Sequence, residues 1–467
     1  MGNSLGMNQG RSWAIAGVFF SLSISYGQAQ DRPAPSKPAG GLETSAPQSS
    51  GPPTLTLQDA LARAQKNDPA FLSSLSDVES AAEDRRQARA ATLPSFGLRS
   101  DYLGTQGNGK LASGRYVTND GVHVYREWAT MHQDLSAGTF LKTGVKRAEA
   151  TQALAQAKVE IARRGLTVTV TKAYYALITA QRKYASAQQA LDQARRALTI
   201  SRDLERGGEV AHSDVVKSQL QEVGQEQAFR DSENTMESAR LDLAVLLFPN
   251  FDENFSIVDD LDAAPALPPL ADAQNMAAKQ DPTLRSAMAA LRGADLDVTL
   301  ARQAFLPQIA LDPVYGIEAN AIALHSAVAA AKEDGPMPNL GYFITASATL
   351  PLWDWGARSS KVKQARLKRE QAATELSAAQ REAVKNLRDY YGEAQTARDQ
   401  VTLLRQAADL ASESLRLNNL RYQAGEATIL ELVDAQTSLN QARNAYDDGL
   451  VRYRMALANL QTLTGAF

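Results

Sequence analysis

The chain is written twice, and that limits its architecture more than any other feature. Lys66-Asn67-Asp68-Pro69 recurs as Lys279-Gln280-Asp281-Pro282, and Leu93-Pro94 as Leu306-Pro307, both displaced by 213 residues (66 to 279, 93 to 306). Tyr174-Tyr175 recurs as Tyr390-Tyr391, and Gly208-Glu209 as Gly425-Glu426. Leu243-Ala244 and Leu246 recur as Leu457-Ala458 and Leu460. Five matches in one order define a duplicated unit of roughly 210 residues. The reading divides the chain into a first repeat, 55–250, an inter-repeat linker, 251–270, and a second repeat, 271–467.

Each unit has the same grammar. A helix comes first, over 57–92 or 271–305, broken near its start at Asp68-Pro69 or Asp281-Pro282, where proline removes a donor and restricts its predecessor. Pro94 or Pro307 then ends the helix, and a pair of extended segments follows. The expected strands are 95–103 and 122–135 in the first half, 308–318 and 341–352 in the second, with loops at 104–121 and 319–340. Segments of about 9–11 residues are long enough to cross an outer membrane.

A very long helix follows each pair. In the second half it is expected over 356–421, where one apolar stripe runs Ala372, Leu376, Ala379, Ala383, Leu387, Tyr390, Ala394, Ala397, Val401, Leu404, Ala408, Ala411, Leu415. Steps of three and four are the helical period, and the alanines allow neighbouring helices to approach closely. At 1.5 Å per residue the helix is roughly 100 Å long. Gly425 permits a turn, and a second helix returns over 429–463; the first half repeats this over 144–204 and 213–247, turning at Gly207-Gly208. The fold class is therefore mainly α, with long helical hairpins plus two strands per repeat.

Four strands cannot close a transmembrane barrel, and an open sheet edge cannot face lipid. If the segments span a membrane, several chains must pool them. Three chains would give about twelve strands in one barrel, with six hairpins forming an α-helical tunnel.

The N-terminus supports export. Arg11 precedes an apolar run from Trp13 to Ser25, and Gly27-Gln28-Ala29 offers a cleavage site, so 1–29 is expected to be a signal peptide. Residues 30–54 are rich in Pro, Ser and Gly and read as a linker. Cysteine is absent, which excludes disulfides, thiolate metal sites and cysteine nucleophiles. The four histidines, His123, His132, His212 and His325, are scattered, and no pair has metal-ligand spacing. A net charge of −3 gives no support for nucleic acid. No residue set implies a cofactor, and Asp354 has no catalytic companion. The expectation is not an enzyme.

Two segments carry a resemblance. Leu350-Pro351-Leu352-Trp353-Asp354-Trp355-Gly356 is similar to a strand-to-helix junction, and Tyr422-Gln423-Ala424-Gly425-Glu426-Ala427-Thr428 with Val433-Asp434-Ala435 to a hairpin tip, of the TolC-like outer-membrane efflux family. Their order within a duplicated chain makes the chain resemble that family from Leu55 to Phe467. The resemblance implies a homotrimeric barrel on a periplasmic tunnel, embedded in outer-membrane lipid. It implies a passive exit duct for a tripartite pump or type I secretion system, with a periplasmic adaptor and an inner-membrane transporter as partners. The competing reading is a periplasmic coiled-coil adaptor or scaffold, which would carry one hairpin between β-rich domains.

The resemblance also implies roles for residues. Glu431 and Asp434, three apart on a helix, would form carboxylate rings at the periplasmic aperture, where their replacement by Ala is expected to remove cation block and leave folding intact; otherwise they are a solvated helix face. Asp214 and Tyr422 would form a latch between hairpins, although Ala427 stands where the family has a partnering arginine; otherwise Tyr422 is hairpin packing. Gly208, Gly425 and Thr428 would be adaptor-docking tips, while the glycines also suit a helix-to-helix turn and Thr428 a helix cap. Trp128, Tyr342, Trp353 and Trp355 read as an interfacial girdle or as junction packing.

Overall fold

The computed structural model describes residues 53–104, 123–250, 254–263, 265–319, 322–329, 336–424 and 426–465. The expected signal peptide, nearly all of the linker 30–54 and the loop 104–121 beyond its first residue lie outside them. The first repeat contains β1 (Thr54–Leu55), α1 (Leu57–Asn67), α2 (Pro69–Ala90), β2 (Ser95–Gly104), β3 (His123–Asp134), a single turn α3 (Ala137–Phe140), α4 (Thr143–Gly207) and α5 (His212–Leu247). The second contains β4 (Ser256–Ile257), α6 (Leu270–Gln280), α7 (Pro282–Gln303), β5 (Gln308–Ala319), β6 (His325–Ala329), β7 (Pro336–Pro338), β8 (Leu340–Thr349), α8 (Ala357–Gln423) and α9 (Ile429–Thr464).

The duplication is close to residue-exact in the helices. Both α1 and α6 have 11 residues, α2 and α7 have 22, α5 and α9 have 36, while α4 has 65 and α8 has 67. The Asp-Pro breaks fall where expected because one aspartate serves two helices. The Asp68 N–H closes α1 on the Ala64 carbonyl at 2.8 Å, and its carboxylate accepts from the Phe71 N–H at 2.7 Å to open α2. Asp281 does the same between α6 and α7, on Ala277 and the Thr283 N–H. Proline then occupies the first helical turn, where its missing donor costs nothing.

β2, β3, β5 and β8 form one antiparallel sheet in that order, so β3 and β5 join the two repeats. Across that seam Arg126 pairs with Glu318 at 2.9 Å and His132 with Asp312 at 2.6 Å. Gly316 sits opposite Trp128, where a Cβ would come within 2.0 Å of the Glu127 carbonyl oxygen; only glycine fits. Three expectations are corrected here. The last strand ends at Thr349 and not at 352, because Pro351 and the Asp354 turn redirect the chain into α8. The loop 319–340 contains a short hairpin, β6 with β7. The helix expected to reach 92 stops at Ala90, and that expected to reach 305 stops at Gln303, each followed by a turn before the proline.

Every member of the apolar stripe on α8 is buried or half-buried. Near the sheet, α2 packs on α4, α4 on α7 and α7 on α8; toward the far end, α5 packs on α4, α4 on α9 and α9 on α8. One edge of this helical curtain is thus α8 throughout, and the other is α2 continued by α5. The main core lies at mid-height, where Tyr174, Leu177 and Ile178 of α4 pack with Leu243 and Leu247 of α5, Leu261 and Leu55. Each such side chain contributes about 1.5–3 kcal/mol on burial. The Tyr174 hydroxyl donates to the Val258 carbonyl at 2.7 Å and holds the inter-repeat linker down. Arg182 adds a charged knot, reaching Asp259 and Asp262 of the linker and Asp447 of α9, all within 2.8 Å. A second fastening joins α4 to the end of α9: Glu160 accepts from Arg163 and Arg164, and Arg164 donates to the Thr462 carbonyl at 2.7 Å.

This fastening generates a pH prediction. The Arg163 guanidinium, with Arg164 beside it, holds Glu160 down at about 2 against an ordinary value of 4.5, although burial opposes the shift. A folded-state value below the unfolded one stabilises fully above 4.5, and the contribution is lost as pH falls through about 2. Glu160→Gln should lower the thermal midpoint at pH 7 and should flatten its decline over that acid window, measured by circular dichroism in detergent.

Candidate functional site

Both hairpin turns lie at the end of the curtain away from the sheet. In the first, Gly208 takes φ 76°, and the N–H groups of Gly208 and Glu209 donate to the Glu205 and Leu204 carbonyls at 2.9 Å. This left-handed close is what glycine supplies without strain. His212 opens α5 and pairs with Glu205 at 2.7 Å across the turn. In the second, the Glu426 N–H donates to the Arg421 carbonyl at 2.8 Å. Gly425 itself lies outside the described residues.

Thr428 caps α9 through a reciprocal box. Its hydroxyl accepts from the Glu431 N–H at 3.3 Å, and the Glu431 carboxylate accepts from the Thr428 hydroxyl at 3.2 Å and its N–H at 3.5 Å. Arg421 approaches the same carboxylate at 3.4 Å. Glu431 therefore has a structural duty, and removing its side chain would cost about 1 kcal/mol of capping. Truncation of Glu431 thus carries a capping cost that a merely solvated charge would not. Asp434 is exposed, one turn further along α9, and has no hydrogen bond or ion pair among the described residues.

Tyr422 and Asp214 have other partners in this chain. The Tyr422 hydroxyl meets Ser201 Oγ at 2.9 Å, and Ser201 Oγ meets Ser218 Oγ at 2.8 Å. The three side chains are 4%, 0% and 1% exposed, so this hydroxyl chain is dry and ties α8 to both helices of the first hairpin. Asp214 pairs with Lys217 at 3.1 Å, one helical turn away. The two serines were not singled out from sequence. Their signal was a polar residue at a stripe position: Leu191, Ala194, Leu198 and Ser201 are all buried at steps of three and four. Between this tie and the Arg182 knot above it lies a groove of about 440 Å³, lined by Ala194, Ser218, Tyr422, Leu432, Gln436 and Arg443. The hairpins are thus fastened at two heights and parted between them.

A four-stranded antiparallel sheet carried on paired, mutually fastened helical hairpins, with the whole unit duplicated, is the architecture that comparison with known proteins assigns to outer-membrane channel proteins. The chain belongs to the outer membrane efflux protein family, whose profile matches residues 60–247 and 273–466, once on each repeat. It is similar to outer membrane protein TolC of Salmonella enteritidis, 24% identical over 422 residues, which are 88% of this chain and 82% of that one. Over a shorter stretch it is similar to outer membrane protein OprJ of Pseudomonas aeruginosa, 27% identical over 179 residues, 38% of this chain and 36% of that one. Among solved structures it is similar to a membrane protein from Pseudomonas aeruginosa with a TM-score of 0.75, at 20% identity, covering 89% of this chain and 92% of that chain. The family is one of outer-membrane channels and not of enzymes, which sets aside the periplasmic adaptor reading.

The hydroxyl chain makes an ordered prediction. Tyr422→Phe removes one hydrogen bond and leaves the serine pair intact, a loss of about 1 kcal/mol. Ser201→Ala leaves two buried hydroxyls without their shared partner and should cost more, about 1–3 kcal/mol. Hydrogen exchange of the tip amides should accelerate in both variants, and more in Ser201→Ala.

Proposed function

We propose that this chain is the passive outer-membrane exit duct of a tripartite efflux pump or a type I secretion system, built from three copies. The observation that carries the reading is the sheet. It has four strands, its outer strands β2 and β8 are unpaired on one side among the described residues, and all ten residues of β8 are exposed. Backbone groups along an open edge are not tolerated in hydrocarbon. The edges of the helical curtain, α2 with α5 and α8, follow the sheet edges β2 and β8 in the same order. A head-to-tail ring of copies would pair every edge at once, and three copies would supply about twelve strands. No apolar helix long enough to cross a membrane occurs among the described residues.

In such a ring the hairpin tips surround the periplasmic mouth. Glu431 and Asp434 would repeat around one axis, repelling anions and attracting cations. The tips at Gly208, Gly425 and Thr428 would meet a periplasmic adaptor that joins the duct to an inner-membrane transporter. Tyr422 would still latch the mouth, with Ser201 as its partner inside the protomer, and Asp214 would have to exchange its Lys217 pair to meet a neighbouring hairpin.

Two measurements test this reading. Light scattering with the detergent contribution subtracted should give the mass of three chains; a monomer or dimer rules out the closed barrel. In planar bilayers a trivalent cation added from the tip side should block conductance, and the block should weaken in a Glu431→Gln, Asp434→Asn double variant. Glutamine keeps the capping box, so altered block reports on charge and not on the fold. Equal block in both proteins would place these carboxylates outside the pore.

A further inference from the structure

The sheet ends in register on the side facing the helices: Ser95 pairs with His132, Asp134 with Ala310, and Gln308 with Thr349. At that level both repeats present large apolar side chains with nothing over them. Phe140 is 82% exposed, Leu352 85%, Trp353 76% and Trp355 89%. The two tryptophans contact edge to face, with centroids 5.7 Å apart. Trp355 takes φ 55° and Lys142 φ 53°, the two non-glycine residues with positive φ in the described chain, each just ahead of a long helix. A bulky residue in that region is costly, so the local structure must hold it there. At the Trp355 turn Asp354 supplies the hold, accepting from the Gly356 N–H at 3.1 Å and the Arg358 N–H at 2.9 Å.

Directly beyond this apolar ledge the chain is basic. Ala357 to Arg369 contains Arg358, Lys361, Lys363, Arg366, Lys368 and Arg369 and no acid, and α4 opens with Lys142, Lys146 and Arg147. Neither helix has an acid in its first turn, although the helix dipole favours acids there. Arg358, Arg369 and Arg147 are paired with Asp354, Asp295 and Asp297. Lys142, Lys146, Lys361 and Lys363 are exposed and have no ion pair among the described residues. At 1.5 Å per residue they lie within about 10 Å of the helix starts, in or beside a headgroup layer that is about 5–8 Å deep.

We propose that this ledge and collar form a lipid-binding surface for anionic phospholipid at the periplasmic face of the outer membrane, with the aromatic side chains at the acyl boundary and the four lysines on the headgroup phosphates. Exposed aromatics next to unpaired bases match the two halves of such a lipid, apolar chain and anionic head. The inference rests on the outer-membrane location and not on the trimer or the pore.

The test is native mass spectrometry of the full chain in detergent, titrated with phosphatidylglycerol or phosphatidylcholine of identical acyl chains. Each base near a lipid surface contributes about fivefold in binding. Wild type should therefore retain phosphatidylglycerol preferentially. Replacing Lys142, Lys146, Lys361 and Lys363 by Gln should cut the preference by two orders of magnitude or more, about fivefold for each lysine, and replacing all four by Arg should keep it. A Trp353→Ala, Trp355→Ala variant should lose affinity for both lipids equally. No preference in wild type, or an unchanged preference in the Gln variant, overturns the proposal. Displacement of the lipid by inorganic phosphate alone would assign the collar to a free anion and also overturn it. A protein that proves monomeric yet prefers phosphatidylglycerol would contradict the trimeric duct and leave this surface standing.

Discussion

An unpaired backbone N–H or carbonyl in hydrocarbon costs several kcal/mol, and the outer strands of this sheet present rows of them. The rest of the structure depends on how those rows are satisfied. β2 and β8 are the two ends of a four-stranded antiparallel run, and within one chain neither can reach the other. Their side chains are exposed on both faces, so the sheet has no core of its own in an isolated protomer. In the proposed assembly its stability would come from lipid on one side and from further copies at the edges.

The helices repeat the same demand in water. The curtain ends in α8 on one side and in α2 and α5 on the other, and both edges are apolar near the tips. Leu403, Leu410 and Leu417 stand seven apart on α8, and Val216, Leu220 and Val223 line α5; all are exposed. The hydroxyl chain sets Tyr422, Ser201 and Ser218 at one height. Counting along the helices from that level brings Leu417 beside the height of Val223, and Leu420 beside that of Leu220. In the proposed ring, rotation from one copy to the next would lay one apolar edge on the other without a vertical shift. The internal fastenings, the Arg182 knot at mid-height and the hydroxyl chain at the tips, hold the two hairpins of one copy in a single unit that can present both edges together.

Much of this was legible in the sequence because it is local. Asp68-Pro69 and Asp281-Pro282 contain their own capping chemistry, and the stripe from Ala372 to Leu415 follows from helical period alone. Long-range polar partners were not legible. The acids Asp259 and Asp262 read only as charge until folding brings Arg182 to them, and the phenol of Tyr422 finds Ser201 across more than two hundred residues of chain. Thr428 was recognisable as a cap, but the same motif commits Glu431 to the box, which the reading of Glu431 as a free aperture charge omitted. The strand end at Thr349 was misjudged because alternation continues into Leu350 and Leu352, while the positive φ of Trp355 has no sequence signature.

The chain has no cysteine, so a disulfide can be placed at will. The most direct measurement is oxidative cross-linking of a Val223→Cys, Leu417→Cys variant in outer-membrane preparations, followed by mass analysis without reductant. Edge-to-edge closure of copies predicts covalent dimers and trimers, up to a closed three-chain ring, with neither single-cysteine variant forming more than a trace of dimer. Only monomer in the double variant, or a continuing ladder of species above three chains, would contradict the account.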